Sequence, residues 1–203
     1  MRTPFCQAYR RTVRTKQQGV AAVEFSFVAI VFFLIFFGIV EVSRAMYIIN
    51  TLQEVTRRAA ALATNTDFSN AAAMQEVRQR AIFRDSPGVL LFAQPVADTH
   101  IVIDYMWIRR AGGTMTMVPI PAASLPASPA ANFANCLGDP YSEGCIRLVR
   151  VRVCQTASAD TCDPVGYQNL VSLVPLSFGL PVSMTIVTAE TLGMPAGVPC
   201  ECT

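Results

Sequence analysis

Hydrophobic residues form one continuous stretch near the start of this 203-residue chain. From Val20 to Val40 the only ionisable residue is Glu24, and Phe, Val and Ile dominate the rest. A helix over these residues would be about 31 Å long at ~1.5 Å per residue, which matches a bilayer core of ~30 Å. The pattern therefore predicts a transmembrane helix over residues 20–40.

After residue 40 the pattern becomes one-sided, and no Pro or Gly interrupts the chain before residue 64. Apolar residues recur at steps of three and four, which is typical of an amphipathic helix with one buried face. We therefore expect a single helix over residues 20–64, roughly 65 Å long at ~1.5 Å per residue. The predicted buried positions are Val42, Ala45 or Met46, Ile49, Leu52, Val55, Ala59 and Leu62. The pairs predicted on the solvated face are Glu41 with Arg44, and Glu54 with Arg57 or Arg58.

A second, shorter helix is predicted over residues 70–83, where apolar residues again follow a helical period. Asp67 or Ser69 is placed to cap its start, and a Ser-Pro-Gly sequence at 86–88 ends it. The residues expected to face inward are Ala73, Met74, Val77, Ala81 and Phe83.

The second half of the chain shows the two-residue alternation of β-strands. Strands are expected over residues 100–110, 114–120, 146–156 and 181–190, with an apolar stretch at 170–180 that Pro175 interrupts. Residues 121–144 are rich in Pro, Ala and Ser and are predicted to form a long surface loop. Because short turns and no helical crossovers join the strands, the predicted class is α+β, with an antiparallel sheet of about four strands.

Two strands distribute their side chains clearly between two faces. In 146–156, valines 149, 151 and 153 share one face, and Arg150 and Arg152 lie on the other, which is either a solvated face or a partner surface. In 181–190 the residues that share one face are Val182, Met184 and Ile186. Trp107, the only tryptophan, is expected in the core.

The charge of the chain is asymmetric. Five basic residues and no acid precede Gly19, so residues 20–203 carry −3 although the whole chain carries +2. The basic residues therefore belong to a leader, and we expect no nucleic-acid partner. They predict a cytoplasmic N-terminus and a translocated C-terminal part, in a single pass through the inner membrane. The predicted organisation is a leader (1–19), the long helix (20–64) and an extracytoplasmic α+β domain (65–203).

A cleaved signal peptide is the less suitable interpretation, because the segment after the apolar stretch offers no small-x-small cleavage site. An ordinary signal anchor explains both the span and the charge bias. It does not require Gly19 or Glu24.

Six of the seven cysteines lie in the predicted translocated part, where disulfides can form and persist. These are Cys136, Cys145, Cys154, Cys162, Cys200 and Cys202, whereas Cys6 lies in the leader. Six cysteines allow 15 pairings, and the sequence does not choose among them. Metal binding is the competing interpretation, but the spacings do not match structural zinc sites and His100 is the only histidine.

We find no pattern of residues that predicts an enzyme, a cofactor or a metal site. The chain has no nucleophile elbow and no phosphate-binding glycine loop. The acids of the second half are expected to be solvated, although Asp160 and Asp163 beside Cys162 could form a weak cation site. These acids are Asp104, Asp139, Glu143, Asp160 and Asp163.

Glu24 is the exception in the apolar stretch, because a carboxylate inside a bilayer is costly. Two explanations are open: its side chain extends to the cytoplasmic headgroups, or it serves a function. Its setting is a basic leader, then Gly19-Val20-Ala-Ala-Val-Glu24-Phe25. This sequence resembles the processing site of type IV pilin-like proteins. More narrowly, residues 19–47 resemble the TadE-like branch of tight-adherence (Tad/Flp) pilus proteins, which typically begin "GAAAVEFAL" and end the apolar stretch with "FGIVEFGR".

The end of that motif reads Phe37-Gly38-Ile39-Val40-Glu41-Val42-Ser43-Arg44 in this chain. The resemblance covers about residues 16–64 and does not extend to the six-cysteine domain. It implies that a prepilin peptidase cuts after Gly19 and leaves Val20 as the new N-terminus. It also implies that Glu24, beside Phe25, pairs with the N-terminal amine of a neighbouring subunit. Gly38 would let helices approach closely.

The resemblance implies that the chain is a minor pilin, or pseudopilin, that helps to initiate assembly of a Tad pilus. Its implied partners are the prepilin peptidase, other pilins and pseudopilins, the Tad inner-membrane assembly platform and membrane lipid. The alternative is an uncleaved, single-pass membrane anchor that carries an extracytoplasmic binding module. TadF-like and TadG-like roles are neighbouring possibilities, and the length argues against the longer TadG-like proteins.

Overall fold

The computed structural model describes residues 18–172 and 176–194. Its helices are α1 (Gln18–Ala63), α2 (Ala71–Ala81) and α3 (Pro129–Gly138). Its strands are β1 (Ile101–Ala111), β2 (Thr114–Pro119), β3 (Leu148–Val153) and β4 (Met184–Thr188). The described residues therefore form an α+β fold with a long N-terminal helix, as the sequence predicts.

Helix α1 is continuous over 46 residues and joins the apolar stretch to the folded domain. Its second half buries one stripe of side chains, namely Glu41, Ala45, Ile48, Leu52, Val55, Ala59 and Ala63. At the start of this stripe Val42 was predicted wrongly, since it is 55% exposed, and of the alternatives Ala45 and Met46 it is Ala45 that is buried, whereas Met46 is 59% exposed. The buried stripe begins with an acidic residue, Glu41, which an apolar periodicity does not indicate.

The four strands form one sheet in the order β2-β1-β3-β4, and all neighbouring pairs are antiparallel. Val149, Val151 and Val153 of β3 are buried. They form the core with the buried stripe of α1 and with Met74 and Val77 of α2. The core thus lies between the sheet and two helices, which is the layered arrangement of an α+β domain.

Strand β4 lies at one edge of the sheet and contacts α1 through hydroxyl groups. Thr185 Oγ1 donates to Thr56 Oγ1 at 2.9 Å, and Thr56 Oγ1 lies 3.1 Å from Ser183 Oγ. The face that carries Val182 and Met184 is exposed, at 45% and 54%. The two-residue alternation predicted for this strand is present. The opposite face is polar where it contacts α1, because it carries the hydroxyl groups of Ser183 and Thr185.

Helix α2 begins one residue later than predicted. Asn70 is its N-cap, and Asn70 Oδ1 accepts hydrogen bonds from Ala72 N and Ala73 N, each at 3.1 Å. Asp67 instead accepts from the backbone N–H and hydroxyl of Ser69, and so forms the preceding turn. At the other end Phe83 has a φ of 61° and is 52% exposed, so the expectation that it faces inward was wrong.

Helix α3 lies in the segment that was predicted to be a loop. Ser128 Oγ accepts a hydrogen bond from Ala131 N at 3.2 Å, and Pro129 occupies the first turn, where its missing N–H costs nothing. The prolines and serines that suggested a loop therefore include the start signal of a short helix.

Two disulfides join cysteines for which disulfides were predicted, and both close short loops. They are Cys136–Cys145, which links α3 to the chain before β3, and Cys154–Cys162, which follows β3. Cys6, Cys200 and Cys202 lie outside the described residues.

Arg150 and Arg152 of β3 bind the loop that the Cys154–Cys162 disulfide closes. Asp104 of β1 faces Arg150 across the sheet, and Asp104 Oδ2 lies 3.0 Å from Arg150 Nε and 2.8 Å from Arg152 Nη2. Arg152 also donates to the carbonyls of Ser158 and Thr161. The expectation of a solvated arginine face and a solvated Asp104 was wrong, because these groups pair with each other and with loop carbonyls.

Candidate functional site

The four residues predicted for processing and assembly lie in the first turns of α1. Gly19, Val20, Glu24 and Phe25 are all exposed, and Val20 and Phe25 are 62% and 73% exposed. Val20 and Glu24 are four residues apart, so their side chains lie on the same face of the helix. Within residues 18–172 and 176–194, no ion pair to Glu24 is present. The processing and pairing roles of these four residues stay predictions.

The apolar stretch is not covered by the rest of the described chain. The helix contains a segment long and apolar enough to cross a membrane, and no part of that segment is buried. Large apolar side chains project on all sides of it, including Phe27, Val28, Ile30, Phe32 and Ile35, which are 56–67% exposed. A surface of this kind needs lipid or other helices around it. It is compatible with a single-pass membrane anchor.

Ser26 adds no unsatisfied polar group to this segment, because Ser26 Oγ donates to the Ala22 carbonyl at 2.7 Å. At Gly38, a Cβ atom would meet nothing within 4 Å. Because no described atom lies close to this position, the role of Gly38 in packing between helices stays a prediction.

Glu41 is the first buried residue of α1, and it lies where the apolar stretch ends. Its side chain is 0% exposed. Glu41 Oε1 accepts hydrogen bonds from Tyr167 Oη at 2.7 Å and from Leu170 N at 3.0 Å. Glu41 Oε2 is buried and has no hydrogen-bond partner among the described residues. One carboxylate oxygen thus fastens the loop after β3 to the helix.

Arg44 lies one turn further along and binds two loops. Its Nη1 donates to the Gln168 carbonyl at 2.6 Å and lies 3.7 Å from Glu41 Oε1. Its Nε donates to the Phe92 carbonyl at 2.9 Å. The guanidinium also lies 5.3 Å from the centre of the Tyr167 ring. Because a guanidinium group carries five N–H donors, Arg44 can bind several carbonyls at once and ties loops from two distant parts of the chain to one point on α1.

Tyr167 completes this junction, which consists of Glu41, Arg44 and Tyr167. The Tyr167 side chain stacks on Phe178 with ring centres 4.7 Å apart, so the junction continues into an aromatic contact. Tyr167 is itself buried and belongs to the main core. The end of the domain next to the apolar stretch is therefore built around a charged pair on α1 and not around apolar contacts alone.

The protonation of Glu41 follows from these contacts, which lie beyond the apolar stretch 20–40. Burial raises the pKa of Glu41, but hydrogen bonds from Tyr167 and Leu170 and the charge of Arg44 outweigh it and hold that pKa below its ordinary value of 4.5. Burial and the hydrogen bond to Glu41 raise the pKa of Tyr167. The structure thus favours a carboxylate and a neutral phenol.

The spacing of Glu41 and Arg44 predicts the pair, but on a solvated face. The pair forms with Glu41 fully buried and the Arg44 side chain only 13% exposed. Two signals were present in the sequence: the acid lies on the same stripe as Ala45, Ile48 and Leu52, and both charged residues belong to the end of the family-like motif. Tyr167 lies 126 residues from Glu41, and no local pattern indicates that contact.

Two of the remaining polar candidates, His100 and Asp163, have local structural contacts. His100 Nδ1 accepts a hydrogen bond from Ala97 N at 2.9 Å, and Asp163, directly after the second disulfide, accepts one from Thr156. Across the part of the chain that the structure describes, no group of three or more His, Cys, Asp or Glu residues could hold a metal ion.

Comparison with known proteins agrees with the motif. Residues 19–61 match the family model described as TadE-like protein. No curated protein and no solved structure matches the chain. The matched residues lie entirely within α1 and include both Glu24 and the Glu41–Arg44 pair, whereas the sheet lies outside the match. The resemblance to TadE-like proteins is thereby confirmed for this segment: the long N-terminal helix is similar to the one that the TadE-like family model describes.

Proposed function

We propose that this chain is a minor pilin, or pseudopilin, of a tight-adherence (Tad/Flp-type) pilus and that its role is structural and not enzymatic. The observation that carries the proposal is the uncovered apolar part of α1, with Glu24 one helical turn from Val20. The TadE-like match over the same helix supports it.

In this proposal a prepilin peptidase cuts after Gly19 on the cytoplasmic side. The cut removes five basic residues that favour retention of the N-terminus in the cytoplasm. It also creates an ammonium group on Val20. The domain that follows residue 64 lies on the periplasmic side, where its two disulfides are stable.

Glu24 is a registration device between helices. A lone carboxylate in a bilayer is costly, and an ammonium group of a neighbouring subunit would neutralise it in a medium of low dielectric. Assembly would then be favoured at the register that brings the two groups together. Other pilins, pseudopilins and the inner-membrane assembly platform are the partners that this role requires.

The first test is the intact mass and N-terminal sequence of the protein extracted from membranes of cells with and without the peptidase. The proposal requires a chain that begins at Val20 only when the peptidase is present. A chain that still begins at Met1 in both strains would instead favour the uncleaved anchor with an extracytoplasmic binding module.

The second test compares Glu24→Gln with Glu54→Gln, which removes an exposed acid from the same helix outside the apolar stretch. We expect both variants to be cut normally and only Glu24→Gln to be lost from the assembly, measured by co-purification with the other pilus subunits. Normal incorporation of Glu24→Gln would exclude the pairing role.

A further inference from the structure

Two loops present large apolar side chains to solvent at the end of the apolar stretch. One is the segment before β1, with Leu91 65% and Phe92 70% exposed. The other follows β3 and carries Leu170, which is 64% exposed. The two loops are far apart in sequence, and it is the fold that brings both of them to the same part of α1.

The junction fixes both loops at the first turn of α1 beyond the apolar stretch. Leu170 N donates to Glu41 Oε1, and Arg44 Nε donates to the Phe92 carbonyl. Glu41 directly follows residue 40, the end of the segment that matches a bilayer core in length. The side chains of Phe92 and Leu170 are therefore held close to the plane at which α1 leaves the apolar phase.

The backbone of Phe92 supports this interpretation. Phe92 has a φ of 59°, a conformation that non-glycine residues rarely adopt. Arg44 binds its carbonyl in that conformation, while the residue stays 70% exposed. The junction therefore holds the backbone of Phe92 in place and leaves its side chain uncovered.

We propose that Leu91, Phe92 and Leu170 form an apolar collar that inserts into the headgroup and acyl boundary of the bilayer around α1. Apolar side chains beside a membrane anchor gain by partial burial at this depth. The collar would fix the tilt of the domain on the membrane before the subunit enters an assembly. This inference rests on the proposed function, since it requires residues 20–40 to lie in a bilayer.

The test places one tryptophan at a time in the full chain, reconstituted in vesicles of phosphatidylcholine and phosphatidylglycerol with brominated acyl chains. Trp107, the only native tryptophan, is replaced by Phe in every variant. Phe92→Trp and Leu170→Trp report the collar. Quenching by bromine atoms near the headgroups, compared with those deep in the acyl chains, reports the depth.

Two controls separate the possible failures. Phe36→Trp lies in the apolar stretch and reports insertion of α1 itself. Phe83→Trp is matched to Phe92 in residue type and exposure, but its ring contacts Arg58 at 5.0 Å. Arg58 is about 25 Å beyond Glu41 along the helix at ~1.5 Å per residue, so Phe83 is remote from the bilayer.

We expect Phe92→Trp and Leu170→Trp to lose most of their fluorescence to shallow bromine atoms, with blue-shifted emission, and Phe83→Trp to keep its fluorescence. If Phe36→Trp is quenched while both collar variants resemble Phe83→Trp, the collar is wrong and the membrane anchor stands. If Phe36→Trp is not quenched either, the membrane anchor fails and the collar fails with it. A circular-dichroism spectrum that matches that of the native chain shows that each variant has folded.

Discussion

Glu41 offers the sharpest test of how the long helix is joined to the domain. Replacement by Gln keeps an oxygen at the position of Oε1, which accepts from Tyr167 and Leu170. It removes the charge that faces Arg44 at 3.7 Å. It also places an amide group where Oε2 has no hydrogen-bond partner among the described residues. The shape of the site is thus nearly preserved while its electrostatics change.

The expected loss follows from these contacts. A hydrogen bond to a charged group contributes about 1.5–3 kcal/mol and a neutral one about 0.5–1.5 kcal/mol, so two bonds lose roughly 2 kcal/mol together. Arg44 keeps the carbonyls of Phe92 and Gln168 as acceptors, which limits the cost of losing its ionic partner. We therefore expect Glu41→Gln to reduce the free energy of unfolding by about 2–3 kcal/mol. Glu41→Ala removes the acceptor as well, and should cost about 3–5 kcal/mol.

The measurement is urea unfolding of the full chain in detergent micelles, followed by the fluorescence of Trp107. Glu54→Gln is the matched control, because it removes an exposed acid from the same helix and should change stability by less than about 0.5 kcal/mol. If Glu41→Gln shifts the urea midpoint no more than this control, the junction does not hold the domain to the helix.

The pH dependence gives an independent check. Because the pKa of Glu41 in the folded chain lies below 4.5, its charge stabilises the fold above that pH. The contribution is lost as the pH falls through the lowered pKa. The stability difference between the native chain and Glu41→Gln should therefore be largest above pH 4.5 and shrink on further acidification. A difference that is constant across this range would contradict the assignment of a carboxylate.

Three further changes test the domain. Replacing both Cys154 and Cys162 by Ser opens a loop with a sequence separation of 8 and should lower the free energy of unfolding by about 2.5 kcal/mol, measured by the same urea assay. Asp104→Ala leaves the nearly buried Arg152 without its carboxylate and should cost about 3 kcal/mol, whereas an exposed charge pair would cost under about 1 kcal/mol. Asn70→Ala removes the cap of α2 and should cost about 1 kcal/mol, with faster amide exchange confined to the first turn of that helix.

The elements of this fold were largely predictable because the period of the hydrophobic pattern is strong in each of them. Helix α1 and strand β3 follow their patterns closely, and the four strands occur where alternation was seen. Helix α3 was missed because Pro and Ser were interpreted as loop formers, although Ser128 and Pro129 are also good helix starters.

The contacts of charged residues were less predictable, since they depend on partners that are distant in sequence. Asp104 meets Arg150 only because β1 and β3 are neighbours in the sheet. Glu41 meets Tyr167 only after the loop that follows β3 returns to α1. In both cases the acid was expected in solvent, because sequence alone shows the cost of burying a charge and not the partners that offset it.

The continuity of α1 has a geometric consequence for any assembly that contains this subunit. Glu24 and Glu41 are 17 residues apart on one unbroken helix. At 3.6 residues per turn their side chains point in directions about 100° apart around the helix axis. The rotational position of the whole domain around the helix axis is therefore fixed relative to the face on which Glu24 lies. One residue inserted between them would turn the domain by about 100° and raise it by about 1.5 Å, so neighbouring domains would meet through different surfaces.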